Sequence, residues 1–116
     1  MKKIFVLAVV VAIVVLACKK DHENDSTSAT VDCGTVTTTF AANVSPLMTS
    51  SCAKSGCHAA GSTNGPGALT NYTQIYNSRV AIRAAVSSGE MPQDATFSAT
   101  QKAIITCWID AGAQNN

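Results

Sequence analysis

Cys52, Cys57 and His58, in the stretch Cys52-Ala53-Lys54-Ser55-Gly56-Cys57-His58, put two thiols five positions apart with an imidazole directly after the second. Three chemistries are open to such a set. The thiols can add to the two vinyl groups of a porphyrin while the adjacent imidazole takes the iron, which is what a Cys-x-x-Cys-His motif does in c-type haem attachment. They can close a short disulfide loop, leaving His58 incidental. With further donors they can hold zinc, a site that wants four ligands in two paired spacings. The gap here is four residues rather than two. Because the distance between vinyls is fixed, a longer gap has to bulge rather than stretch. Ala53-Lys54-Ser55-Gly56 is small and contains a glycine, which suits a bulge.

An iron held by His58 needs a sixth ligand or an open position. Met91 is the leading candidate, on a loop between Gly89 and Pro92 and 33 residues past His58. A thioether opposite a histidine raises the reduction potential of haem iron. Met48 competes by residue type, but it falls on the apolar stripe of a helix and reads as core. His22, the only other histidine, lies in a polar stretch far from the motif. No Ser/His/Asp set, paired carboxylates or phosphate-binding glycine loop is present, and no catalytic residues are expected.

Several elements must position these groups. Val44, Leu47 and Met48 recur at i, i+3 and i+4 and predict a short helix running into Cys52, with Asn43 as N-cap and Pro46 in its first turn. Gly61 to Gly67 reads as a loop. Asn71 with Gln74 predicts a capped helix carrying Tyr72, Ile75 and Tyr76. Ser78 is the expected cap of a helix from Arg79 to Ser87, ended by Gly89, with either Val80 and Ala84 or Ile82 and Val86 facing inward. Ser98 with Gln101 forms a capping box for a last helix to about Ala111, with Ile104, Ile105, Trp108 and Ile109 on its apolar side and Gly112 ending it. Sustained period-two alternation is not found. The expected fold class is all-α, a small domain of about four short helices with long loops. Tyr72 and Tyr76 read as core, whereas Arg79, Arg83, Glu90 and Asp110 read as solvated.

The amino end is of a different kind. Met1-Lys2-Lys3 precedes an apolar run of 14 residues, 4–17, too short to span a bilayer comfortably. It reads as a secretory signal peptide, residues 1–17, followed by Cys18 and a polar tether over 18–31. Removal of 1–17 deletes Lys2 and Lys3 and turns the net charge from +1 to −1, with no basic cluster and so no case for nucleic acid. The remainder, 32–116, is one small domain with a thin core, a size that commonly needs a staple. In an oxidising compartment disulfides persist. Of the five cysteines, Cys52 and Cys57 group with His58. Cys33 and Cys107 stand near opposite ends of the domain, where a bond between them would close a long loop. Spacing alone does not choose among the pairings of four thiols.

With these motifs in view, Val15-Leu16-Ala17-Cys18 resembles the lipobox of bacterial lipoproteins, which implies a lipid on Cys18, export, and anchoring in the bacterial cell envelope, at the outer membrane and facing the periplasm or the surface. The domain resembles a small cytochrome c of that lipoprotein kind, over about residues 33 to 116. The shared order is a helix, CAKSGCH, GEMP, and a last helix ending CWIDAGA. The resemblance implies one covalent haem c, thioethers at Cys52 and Cys57, His58 as proximal and Met91 as distal iron ligand. It implies electron transfer to a redox partner protein in the envelope rather than an enzyme. The chain departs from the family in its four-residue gap, in offering Leu47 and Met48 where many members have an aromatic, and in the pair Cys33 and Cys107, read as a staple. The alternative is a disulfide-stabilised envelope lipoprotein without haem, acting as a structural or binding module.

Overall fold

The computed structural model describes residues 31–116; the expected signal peptide, Cys18, His22 and the tether lie outside the described residues. The described part is all-α, with no strand among the described residues. A 3-10 turn at Cys33–Thr35 is followed by one π-helical turn, Phe40–Val44, continuous with α1, Ser45–Ser51. A long loop holding the Cys52–His58 motif leads to α2, Tyr72–Asn77, then α3, Arg79–Ser88, a second loop holding Met91, and α4, Ala99–Asp110.

The first helix starts earlier than its apolar spacing indicates. Thr39, with extended backbone at φ −112° and ψ 152°, accepts from the Ala42 N–H and opens the π turn. Asn43 is therefore inside the turn rather than its cap, and its Oδ1 accepts from the backbone N–H and hydroxyl of Thr39. The extra turn brings Phe40 into the core, about two turns ahead of Leu47 and Met48. Its ring packs 5.6 Å from Trp108 on α4 and edge-on, at 5.0 Å, to Tyr72 on α2. Trp108 is almost fully buried, its indole N–H donating to Gln114 O at 2.9 Å. Truncating a tryptophan so placed costs about 3–5 kcal/mol.

The chain after α4 folds back on this contact. Asn116 accepts through Oδ1 from the Phe40 N–H and through its backbone oxygen from the Ala41 N–H, two donors that the start of a helix otherwise leaves unpaired. Tyr72 donates its hydroxyl to Ala113 O. Both tyrosines thus pack on the core.

Asn71 caps α2 by accepting from the Gln74 N–H, but Gln74 reaches back to the N–H and hydroxyl of Thr70, so the reciprocal half of the expected box goes one residue further. Ser78 makes no side-chain cap; it is the hinge between α2 and α3, its N–H satisfied by Gln74 O and Tyr76 O. On α3, Ile82 and Val86 face inward and Val80 is 75% exposed, which decides between the two possible faces. Gly89, at φ 83°, ends α3, and the Ser98–Gln101 capping box opens α4 with both its bonds made. Ala103, Ile105, Cys107 and Trp108 are the buried residues of α4, while Ile104 and Ile109 are half-buried against the core.

Cys33 and Cys107 are disulfide-bonded, with Cα atoms 5.4 Å apart. The bond ties the segment ahead of the first helix to α4 across 74 positions of sequence. A second tie joins α3 to α4: Arg83 donates through Nε to Asp110 Oδ1 at 2.6 Å and through Nη2 to Asp110 Oδ2 at 2.8 Å. Arg79 lies over the Tyr76 ring and donates to Tyr76 O.

Replacing Cys33 and Cys107 together by serine is expected to lower stability by about 4 kcal/mol through the larger entropy of the unfolded chain; denaturant unfolding measures it, and digestion without reductant should show the linked peptides in the native protein only. Arg83 holds the Asp110 carboxyl below its ordinary value, chiefly by hydrogen bonding, then, against an opposing effect of burial, by charge. The stabilisation is complete above the ordinary carboxylate range and is lost as pH falls through the lowered value. Asp110→Asn is thus expected to lower Tm by only about 1–3 °C at neutral pH, with the difference from the native protein closing in acid.

Candidate functional site

Cys52, Cys57, His58 and Met91 all line one cavity of about 680 Å³. This lies within the roughly 300–1,000 Å³ of pockets that enclose organic ligands and cofactors. Its walls are the inner side of α1 (Met48, Cys52), the inner side of α3 (Ile82, Val86), Leu69, and the two long loops. Met48 is thus both core and cavity wall. Arg79, Arg83, Tyr72 and Tyr76 do not reach it; the two acids that do are Glu90 and Asp94.

The motif itself is a hydrogen-bonded bulge. α1 ends as the N–H groups of Cys52 and Ala53 both donate to Met48 O at 2.9 Å. The Cys57 N–H then donates to Lys54 O at 2.9 Å and the His58 N–H to Cys52 O at 3.0 Å, folding the four intervening residues out of line and returning the chain toward Cys52. Gly56 takes φ 79° in this turn, a conformation that a side chain would strain. The loop that follows grips the bulge from outside. Asn64 donates through Nδ2 to Gly56 O at 3.0 Å and Cys57 O at 3.1 Å, and Ser62 donates its hydroxyl to Cys57 O.

His58 is buried at 8% exposure, with its Nδ1 2.9 Å from Gly67 O. A carbonyl can only accept, so Nδ1 carries a proton, and in the neutral ring Nε2 keeps its lone pair. Among the described residues no group bonds Nε2. Gly67 sits at φ 87°, and a Cβ there would come 3.4 Å from Ser62 O. The Leu69 N–H donates to His58 O at 2.9 Å, fixing the backbone beneath the ring.

Cys52 and Cys57 are both free thiols, the first buried and the second half-buried. Burial pushes the Cys52 thiol above its ordinary value; Lys54 opposes this, while Cys57 and Asp94 add to it. Among the described residues no three His, Cys, Asp or Glu side chains converge, so a zinc site lacks its donor set. Met91 is half-buried; its N–H donates to Ala85 O at 3.1 Å, hanging the loop from the end of α3, and Pro92 beside it is buried. Lys54 and Asp94 form an ion pair between the two loops, which lowers the Asp94 carboxyl and raises the Lys54 ammonium, in each case mainly by the hydrogen bond between them.

The donor set fits a haem. Two free thiols, an imidazole and a thioether line one cavity, and donors of these types are the ones that would hold a covalently attached haem and its iron. The sequence motifs identify these four residues; the roles of Ser62, Asn64 and Gly67 carry no comparable signal, because a serine, an asparagine and a glycine in a turn-rich loop read as loop composition. Comparison with family models, with curated proteins and with solved structures returned no match.

In the folded protein with both thiols free, the two should differ toward alkylating reagents. Cys57, the more exposed, is expected to react with iodoacetamide at neutral pH at least about ten-fold faster than Cys52, whose burial restricts access and disfavours the thiolate. Peptide mapping after a timed quench measures the ratio.

Proposed function

We propose that the chain is a haem-c electron carrier, exported and held in the cell envelope by a lipid on Cys18. The observation that carries the reading is the shared cavity: Cys52, Cys57, His58 and Met91 come from two loops 33 or more positions apart and line the same space. Interiors pack at crystal-like density with few voids larger than a water. Here Met48, Leu69, Ile82 and Val86 present apolar surface to an open volume. A flat, mostly apolar macrocycle is a body of the right kind to cover it.

In this reading Cys52 and Cys57 would each add S–H across one vinyl double bond, forming a C–S bond with the proton passing to carbon. The addition consumes no oxidant and needs both thiols reduced, as they stand here. His58 would ligate through Nε2, its Nδ1–H kept on Gly67 O so that the ring neither tilts nor changes tautomer. Met91 would ligate through its thioether from the loop after α3. Haem so held supplies reversible one-electron transfer, and with both axial positions filled the protein moves electrons rather than transforming a substrate. The apolar residues exclude water from the site. The near-neutral charge of the chain fits a transient encounter with an envelope redox partner under little electrostatic steering. The haem-free alternative needs Cys52 and Cys57 bonded to each other, and their separate thiols in the cavity wall favour the electron carrier.

The test is a haem stain after denaturing electrophoresis of protein matured with a haem-attachment system. Stain and haem absorbance are expected to remain with the polypeptide; a matured, pure protein with neither overturns the reading. Met91→Ala is expected to retain the stain and lose the Met-to-iron charge-transfer band of the ferric state. An unchanged ferric spectrum would remove Met91 from the ligand set.

A further inference from the structure

The four residues between Cys52 and Cys57 contain one charge. Lys54 extends from the bulge and donates to Asp94 Oδ2, 40 positions away. Asp94 lies three residues past Met91 and lines the cavity. The bulge is rigid: it is braced by backbone bonds within it and by Asn64 and Ser62 from outside. The Met91 segment is held less. Its ties are the Met91 N–H on Ala85 O, the buried side chains of Pro92 and Phe97, and the ion pair to Lys54. The pair therefore joins a fixed loop to a weakly anchored one, and it does so between the loop bearing the thiols and the loop bearing the thioether.

We infer that Lys54 and Asp94 form a clasp that positions the Met91 loop over the cavity and sets how readily Met91 yields its place to an external ligand. The inference rests on the haem reading for its consequence at the iron, and on the structure alone for the clasp. Lys54 lies within the four-residue gap, so the gap places a cation beside the second loop. Both side chains are substantially exposed, at 36% and 55%. Exposed pairs add little to global stability. Their effect falls on local opening of the segment they hold, which proceeds without unfolding the rest.

The experiment uses the haem-loaded protein and imidazole as probe. Lys54→Gln and Asp94→Asn are each expected to speed imidazole binding to the ferric protein by about two- to five-fold, with the double variant no faster than either single one. Lys54→Arg should restore the native rate, as should the exchange of the two charges in Lys54→Asp with Asp94→Lys. High salt should bring the native protein towards the variants, while the denaturation midpoint stays unchanged. Unaltered imidazole kinetics in the single variants, or no rescue by the exchanged pair, overturns the clasp. Hydrogen exchange of the segment 90–97 gives a readout that does not depend on haem: faster exchange in the variants is expected in stained and unstained protein alike, and equal exchange overturns the clasp. A missing stain would count against the haem reading and leave the exchange result to decide the clasp.

Discussion

The stacking of Phe40 on Trp108 is the contact on which the rest of the molecule hangs. It brings the first and last helical segments together, and most of the other stabilising features are arranged around it. The Cys33–Cys107 bond lies just outside it, on the segment that precedes Phe40 and on the residue beside Trp108. Tyr72 closes one side edge-on, and the chain from Ala113 to Asn116 closes another while capping the turn that carries Phe40. A small domain gains little from area alone, since its surface is large for its volume. Here the aromatic cluster, one covalent bond and a returning tail act on the same junction.

The cavity follows from that concentration. The apolar residues of α1 and α3 are shared between the aromatic core and the open space: Met48, Ile82 and Val86 are buried yet also line the cavity. The helices close tightly at the Phe40–Trp108 end, and the space beside them is walled by loops. Loops have no ladder of internal hydrogen bonds, so each carbonyl needs a named partner. Asn64 and Ser62 provide them for Gly56 and Cys57, Leu69 for His58, and His58 itself for Gly67. The imidazole is thus part of the scaffold that holds the two thiols, and its orientation is coupled to theirs before any ligand is considered.

How much of this was legible beforehand depends on the range of the interaction. The helices, the capping box at Ser98, the stop at Gly89 and the four residues that meet in the cavity were readable, because apolar spacing, capping chemistry and ligand chemistry are local signals. Phe40 was not. Periodicity over Val44, Leu47 and Met48 places the helix start at Asn43, whereas the observed start one turn earlier joins the Thr39 cap to packing of Phe40 against a residue 68 positions later. The caps supplied by Asn116 to Phe40, and the pairing of Lys54 with Asp94, share this origin: each joins residues that no local pattern connects. Ser78 fails as a cap for a local reason: as the C-cap of α2 its backbone sits at φ −95° and ψ 2°, not in the extended conformation from which a side chain caps the next helix.

The same difference in range divides the four cysteines among the described residues into one bonded pair and two free thiols. Spacing leaves their pairing open. Topology decides it: joining Cys33 to Cys107 needs only that the two ends meet, which the Phe40–Trp108 contact achieves. Cys52, at the edge of the core, and Cys57 stand in the wall of the cavity, and both are free. Cys52 is further protected by burial, which holds it as the thiol and slows thiolate exchange. The structural bond can therefore close at the junction of the two ends while Cys52 and Cys57 stand in the cavity wall, where Met48, Ile82 and Val86 join the core to the cavity.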